Sequence, residues 1–264
     1  MSMIPPVASR LPIPNRWTRS LTAGDPLLWL AKGWRDFMTQ PAMSIVYGVL
    51  LFLISVGFVG SLIALGRDYI LFPAFAGFMV VGPILAVGLY EKSRRIEAGR
   101  PLQWRNLFLV RPRSGGQILF TGVLLCLLMM VWMRAAVIIY ALFFGLLPFP
   151  GLNHIASMLF TTQTGWAMLA VGTAVGGLFA AFSFAISAFS IPMLLNENID
   201  AFTAMGSSMA LVWNNLRVLL IWAAIVLLLF LASLATGMLG LIVIYPLLGH
   251  ATWHAYRAVQ PAAA

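Results

Sequence analysis

Charge is what this sequence has least of. Aspartate and glutamate together number seven in 264 residues, and all charged residues make up 9% of the chain. Soluble domains carry about 25%, so this chain could not cover a water-exposed globular surface. All seven acids fall outside the long apolar runs or at their edges. That removes the buried carboxylate on which proton-coupled transport or intramembrane hydrolysis usually depends. Cysteine is nearly absent too. Cys126 stands alone, which excludes an intrachain disulfide and a cysteine metal cluster. In its apolar run the thiol reads as a small hydrophobe. There is no glycine-rich phosphate loop, and Gly176-Gly177 is too sparse to serve as one. The chain therefore reads as a non-enzyme, with no catalytic residue and no cofactor expected.

What is present is hydrophobicity: 61% of residues, with a mean hydropathy of +0.95. The class is an all-α polytopic membrane protein. A membrane helix needs about 20 apolar residues. Six segments qualify: 43–65, 70–90, 117–141, 166–191, 216–234 and 238–256. The last two share one run that would be about 60 Å long as a single helix, twice a bilayer core. It must fold back, and Ala235-Thr236-Gly237 is the natural turn. Residues 1–24 hold four prolines and three arginines and no long apolar stretch, so they read as a flexible basic tail rather than a cleavable signal. Residues 25–258 form one membrane domain and 259–264 a C-terminal tail.

Lysine and arginine set the sidedness. They gather in the N-terminal segment, in 92–113 and at Arg257, while the opposite loops offer Arg67 beside Asp68 and little else. Both termini are expected in the cytoplasm. The net charge of +9 points to anionic headgroups rather than nucleic acid, because most of the surface faces lipid. Lys32, Arg35, Lys92, Arg94, Arg95 and Arg257 are the expected headgroup contacts.

An internal repeat is also visible. Pro83 lies six residues after Gly77 and Pro246 six after Gly240, and Arg94 and Arg257 each lie eleven beyond their proline. Pro192 carries the same core: Leu194, Leu85 and Leu248 each stand two residues past a proline. The spacing predicts three copies of one unit, an inward interfacial segment followed by a hairpin, with kinks at Pro83, Pro192 and Pro246. Residues 25–41 give the clearest interfacial segment. Asp25 and Pro26 start a helix, Pro41 follows it, Leu27, Leu30, Ala31, Trp34, Phe37 and Met38 form an apolar stripe, and Lys32, Arg35 and Asp36 lie opposite. Residues 198–215 are a weaker counterpart.

Within the spans a few residues stand out. Gly172, Gly176, Ala180, Ser183, Ser187 and Ser190 line one face of the fourth span. Such a face suits close helix packing, as the central helix contact or an oligomer contact, or else a polar track along the serines. Arg134 lies deep in an apolar run and is either an outer-interface anchor or part of an internal polar site with those serines. His250 and His254 are four apart on one face, the spacing of a two-histidine metal site, yet no carboxylate or cysteine nearby completes it; headgroup hydrogen bonding is the plainer role.

The strings GDPLLWLAKGWRDFMTQP, GFMVVGPILAVGLYEKSRRIEAG, SFAISAFSIPMLLNENIDAFTAM and PLLGHATWHAYR resemble a bacterial family of predicted integral membrane proteins, domain of unknown function 2189. By these motifs the resemblance spans about 24–258. It implies a bacterial inner-membrane location and brings no activity, cofactor or site residue. Members sometimes carry a cytochrome c oxidase subunit I label, which the three histidines here do not support. The expected function is an accessory, scaffold or assembly protein working through membrane lipids and through another membrane protein or a second copy of itself. A small-molecule channel or permease, and a haem- or metal-binding respiratory subunit, are the alternatives.

Overall fold

The computed structural model describes residues 15–145 and 151–260. Parts of both expected tails, residues 1–14 and 261–264, and residues 146–150 of the charge-free loop lie outside the described residues. Among the described residues the chain is all helix, with no strand. Helix α1 (Asp25–Met38) leads through the left-handed residue Gln40 into α2 (Pro41–Ala64). A short turn returns the chain as α3 (Leu71–Leu85) and α4 (Val87–Glu97). Helix α5 (Trp104–Phe108) precedes α6 (Gly115–Phe144) and α7 (Leu152–Thr161). Then come α8 (Gln163–Ser187), α9 (Ser190–Asn196), α10 (Ala201–Asn214), α11 (Leu216–Ala235) and α12 (Leu241–Val259).

The long apolar runs become long helices because lipid-facing backbone must satisfy its hydrogen bonds within the segment. Five stretches are long and apolar enough to cross a membrane: Pro41–Ala64, Leu71–Glu97, Gly115–Phe144, Gln163–Asn196 and Leu216–Ala235. Helix α12 is not among them. It packs against α1, α2 and α4 and buries ten residues, among them Tyr245, Trp253 and Tyr256. Two glycines make that packing possible. A Cβ at Gly33 would stand 2.7 Å from the Ala251 backbone nitrogen, and one at Gly48 would stand 2.1 Å from the Ile242 carbonyl oxygen.

The chain breaks at Ala86, just past Pro83, and at Ala188-Phe189, just before Pro192. Helix α12 runs unbroken through Pro246, packed against α1, α2 and α4. Burial is divided along the small-residue face of α8. Gly172 faces open space, Gly176 lies against Trp132, and Ala180 is exposed; Ser183, Ser187 and Ser190 are buried.

The centre of the molecule is where α4, α9 and α12 meet. Leu89, Tyr90, Phe189, Ile191, Leu194, Leu195, Trp253 and Tyr256 are almost wholly removed from solvent there. The N-terminal segment is docked rather than free over residues 15–24. The Arg19 Nε donates to the Val259 carbonyl at 2.7 Å, and Asn215 Nδ2 donates to the Trp17 carbonyl at 2.9 Å. The two described ends of the chain therefore touch.

Candidate functional site

The densest polar cluster lies where α1, α2, α4 and α12 converge, beside that central contact. It begins with Lys92, which extends from α4 with only 2% exposure. Its ammonium donates to Ser44 Oγ at 2.8 Å, to the Gln40 carbonyl at 3.2 Å and, at 3.5 Å, to that of Phe37. The two carbonyls are at the α1–α2 elbow, where the end of α1 presents unpaired oxygens and a cation is favoured. The left-handed Gln40, with φ of 54°, turns its carbonyl into this corner.

From Ser44 the chain of hydrogen bonds continues to His250, which is fully buried. Ser44 Oγ lies 2.9 Å from His250 Nε2, and Ser93 Oγ lies 2.8 Å from Nδ1. Every hydrogen finds an acceptor when Lys92 donates to Ser44, Ser44 to Nε2, Nδ1–H to Ser93, and Ser93 to the Asp36 carboxylate. That assignment gives a neutral His250 with its proton on Nδ1. His254 closes the ladder, with Nε2 2.8 Å from Asp36 Oδ2.

Asp36 is the acceptor end. Burial pushes its carboxyl up, but the hydrogen bonds from His254 and Ser93 outweigh burial and hold it below the ordinary value of 3.8. A polar ladder thus ties α1 and α2 to α4 and α12, satisfied at each rung. It engages both ring nitrogens of His250 and the Nε2 of His254, and it engages Lys92 as a donor rather than as a base. Among the described residues, no three histidine, cysteine or carboxylate side chains stand together as a metal centre would need.

Four of the six expected headgroup cations are engaged within the protein. Lys92 is in the ladder. Arg94 and Arg95 both pair with Glu91, at 2.5 and 2.8 Å, and Arg94 also donates to the Leu195 carbonyl of α9. Arg257 pairs with Glu97 at 2.8 Å, and Trp253 Nε1 donates to the same carboxylate. Lys32 and Arg35 are exposed on α1 beside the exposed Leu27, Leu28, Trp34 and Met38. Arg134 is exposed on α6 and makes no ion pair among the described residues. It does not join the serines of α8, where Ser183 donates to its own turn at Phe179.

Sequence reasoning named Lys92, His250 and His254 but not as partners, and it missed Ser44, Ser93 and the inward role of Asp36. The available signal was Asp36 itself: one acid directly after Arg35 on a helix whose buried side also carries Gly33.

Residues 71–196 match the family described as predicted integral membrane protein, DUF2189. The matched stretch is just under half of the chain. It runs from α3 to the end of α9 and so includes Lys92, Ser93 and the α8–α9 break. No curated protein and no solved structure matches the chain. The family description and the five membrane-capable helices agree on an integral membrane protein with several apolar spans.

Proposed function

We propose that this chain is a six-span, non-catalytic scaffold or assembly protein of the bacterial inner membrane, acting through lipid and protein contacts. The observation that carries the reading is the solid centre. The ends of α4, α9 and α12 fill it with aromatic and aliphatic side chains, and the polar ladder beside it has its hydrogen-bonding capacity taken up internally. A permease would need polar groups along a crossing path, and Arg134 and the α8 serines do not share one.

The sixth span is α12. Support comes from the contact between Arg19 and Val259: a chain whose ends meet on one side of a bilayer crosses it an even number of times. Support for three repeats comes from a cyclic order. Each interfacial helix packs on the proline-bearing segment of the unit before it, α5 on α4, α10 on α8 and α9, and α1 on α12. The basic side, with both termini, is the cytoplasmic one.

Two measurements test this. Reporters fused to the carboxyl end should be active in the cytoplasm, and periplasmic activity overturns the topology. Purification in mild detergent should bring a defined membrane protein, or a second copy, with this chain. Solute flux through proteoliposomes of the pure protein, above that of empty vesicles, overturns the scaffold reading.

A further inference from the structure

A broad depression of about 700 Å³ opens at the start of α6, between it and the start of α10. It lies far from the ladder. Its lining carries both signs of charge, Arg113 and Asp200, with Gln117, Asn198 and Thr203 among the polar groups; the Asp200 carboxylate also accepts from the Thr203 N–H and hydroxyl as the cap of α10. Pockets of roughly 300–1,000 Å³ are the size that takes small ligands.

The floor is unusually open to close approach. Gly115 and Gly116 both line it, and a Cβ at Gly116 would meet nothing within 4 Å. The backbone at 116 is therefore open to close approach by a ligand. The guanidinium of Arg113 makes no ion pair among the described residues; only its backbone N–H is engaged, on the Leu195 carbonyl.

Just below the depression the surface turns apolar. Leu119, Phe120 and Val123 are exposed on α6 and Phe202 on α10, with the Phe120 and Phe202 rings edge to face at 5.6 Å. Gly115 is where the third membrane-capable helix begins, so this track descends from the headgroup level into the hydrocarbon. A polar cradle with two opposite charges, set directly over an apolar track, matches a molecule with a phosphate, a cation and acyl chains.

We propose that the depression between α6 and α10 binds a zwitterionic phospholipid headgroup, of the phosphatidylethanolamine class, with Arg113 on the phosphate and Asp200 on the ammonium. The acyl chains lie along Leu119, Phe120, Val123 and Phe202. This rests on the reading that the chain works through lipid contacts and specifies which lipid and where. It also separates this site from Lys32 and Arg35 of α1, which present positive charge alone.

The test uses the purified full-length protein in detergent micelles, with short-chain phosphatidylethanolamine, phosphatidylglycerol or inorganic phosphate added. The readouts are lipid affinity and the thermal unfolding midpoint. Phosphatidylethanolamine should bind more tightly than phosphatidylglycerol and raise the midpoint more. Arg113→Gln should weaken both lipids about tenfold, the scale of losing one charge-assisted hydrogen bond. Asp200→Asn keeps a good helix cap and should erase the preference between the two lipids. Equal binding of the two lipids by the wild type overturns the proposal, as does unchanged affinity in Arg113→Gln or a preference that survives Asp200→Asn. A midpoint rise with inorganic phosphate matching that with lipid overturns the lipid assignment. None of these failures touches the scaffold reading, which falls instead on solute flux.

Discussion

Removing the Asp36 carboxylate tests whether the polar ladder holds α1 to the bundle. Asp36 is 1% exposed and accepts from His254 and Ser93. In Asp36→Ala two donors lose their acceptor. Ser93 is fully buried, and an orphaned buried hydroxyl costs about 1–3 kcal/mol. A hydrogen bond to a buried carboxylate contributes about 1.5–3 kcal/mol. His254 keeps 13% side-chain exposure and can turn partly to water, so a combined loss of about 3 kcal/mol is the expectation. That is more than a hundredfold in the docking equilibrium of α1. The assay is thiol labelling of Leu30→Cys, a half-buried position on α1, in a Cys126→Ala background, with unfolding in denaturing micelles as a second readout. Labelling should accelerate about a hundredfold. A double-mutant cycle with His254→Ala should show coupling above about 1 kcal/mol, since the two groups share one interaction. The reasoning fails if Asp36→Ala labels at the wild-type rate, or if the two substitutions add in full.

Three further outcomes are expected. Gly48→Ala places a Cβ 2.1 Å from the Ile242 carbonyl oxygen, so α2 must shift; a loss of about 1–3 kcal/mol is expected, and an unchanged unfolding midpoint contradicts the packing. Arg134→Gln removes an exposed side chain without an ion pair and should leave stability within about 0.5 kcal/mol; a large loss in unfolding assays would place Arg134 in a structural role. Because the Asp36 carboxyl is held below 3.8, its contribution is fully present above that pH and fades as pH falls through the lower folded value; the Leu30→Cys labelling rate should therefore be flat above about pH 5 and rise in acid, a rise that Asp36→Asn removes.

Helix positions were largely legible in the sequence. The run read at 43–65 is α2 (Pro41–Ala64), and that at 117–141 is α6 (Gly115–Phe144). Hydrophobic length is a one-dimensional property, and the bilayer thickness fixes its threshold. The fate of the charges was not legible. In EKSRR, the sequence distinguishes nothing between Lys92 and Arg94, yet one is enclosed and the other bridges to α9. What decides is the rotation of α4 against α2 and α12, which brings Ser44 and His250, 48 and 158 positions away from Lys92, to the same corner. Helix α1 shows the same limit. Of its apolar stripe, Leu27, Trp34 and Met38 are exposed and Phe37 is buried, while Asp36, placed on the wet face by periodicity, turns inward because Gly33 admits α12 closely and His254 supplies a donor.

The prolines show why one motif produced two outcomes. Each proline lacks an N–H, so a carbonyl four residues earlier loses its helical partner, and within a bilayer such a group must be met by protein. At Pro83 the helix gives way, and the carbonyls around the break are taken from outside: Tyr245 donates to Gly82 at 2.7 Å and Tyr47 to Leu85 at 2.6 Å. At Pro192 the break is served by Ser208, which accepts from the Phe189 N–H and donates to the Ala185 carbonyl. At Pro246 the freed carbonyl is that of Ile242, and it lies against Gly48 of α2. There the neighbouring backbone approaches the carbonyl instead of a side chain reaching for it, and α12 continues unbroken. The two tyrosines that serve Pro83 come from α2 and α12, the helices that Gly48 brings together. The unbroken helix and the broken one are therefore parts of one joint, tied through Tyr47 and Tyr245.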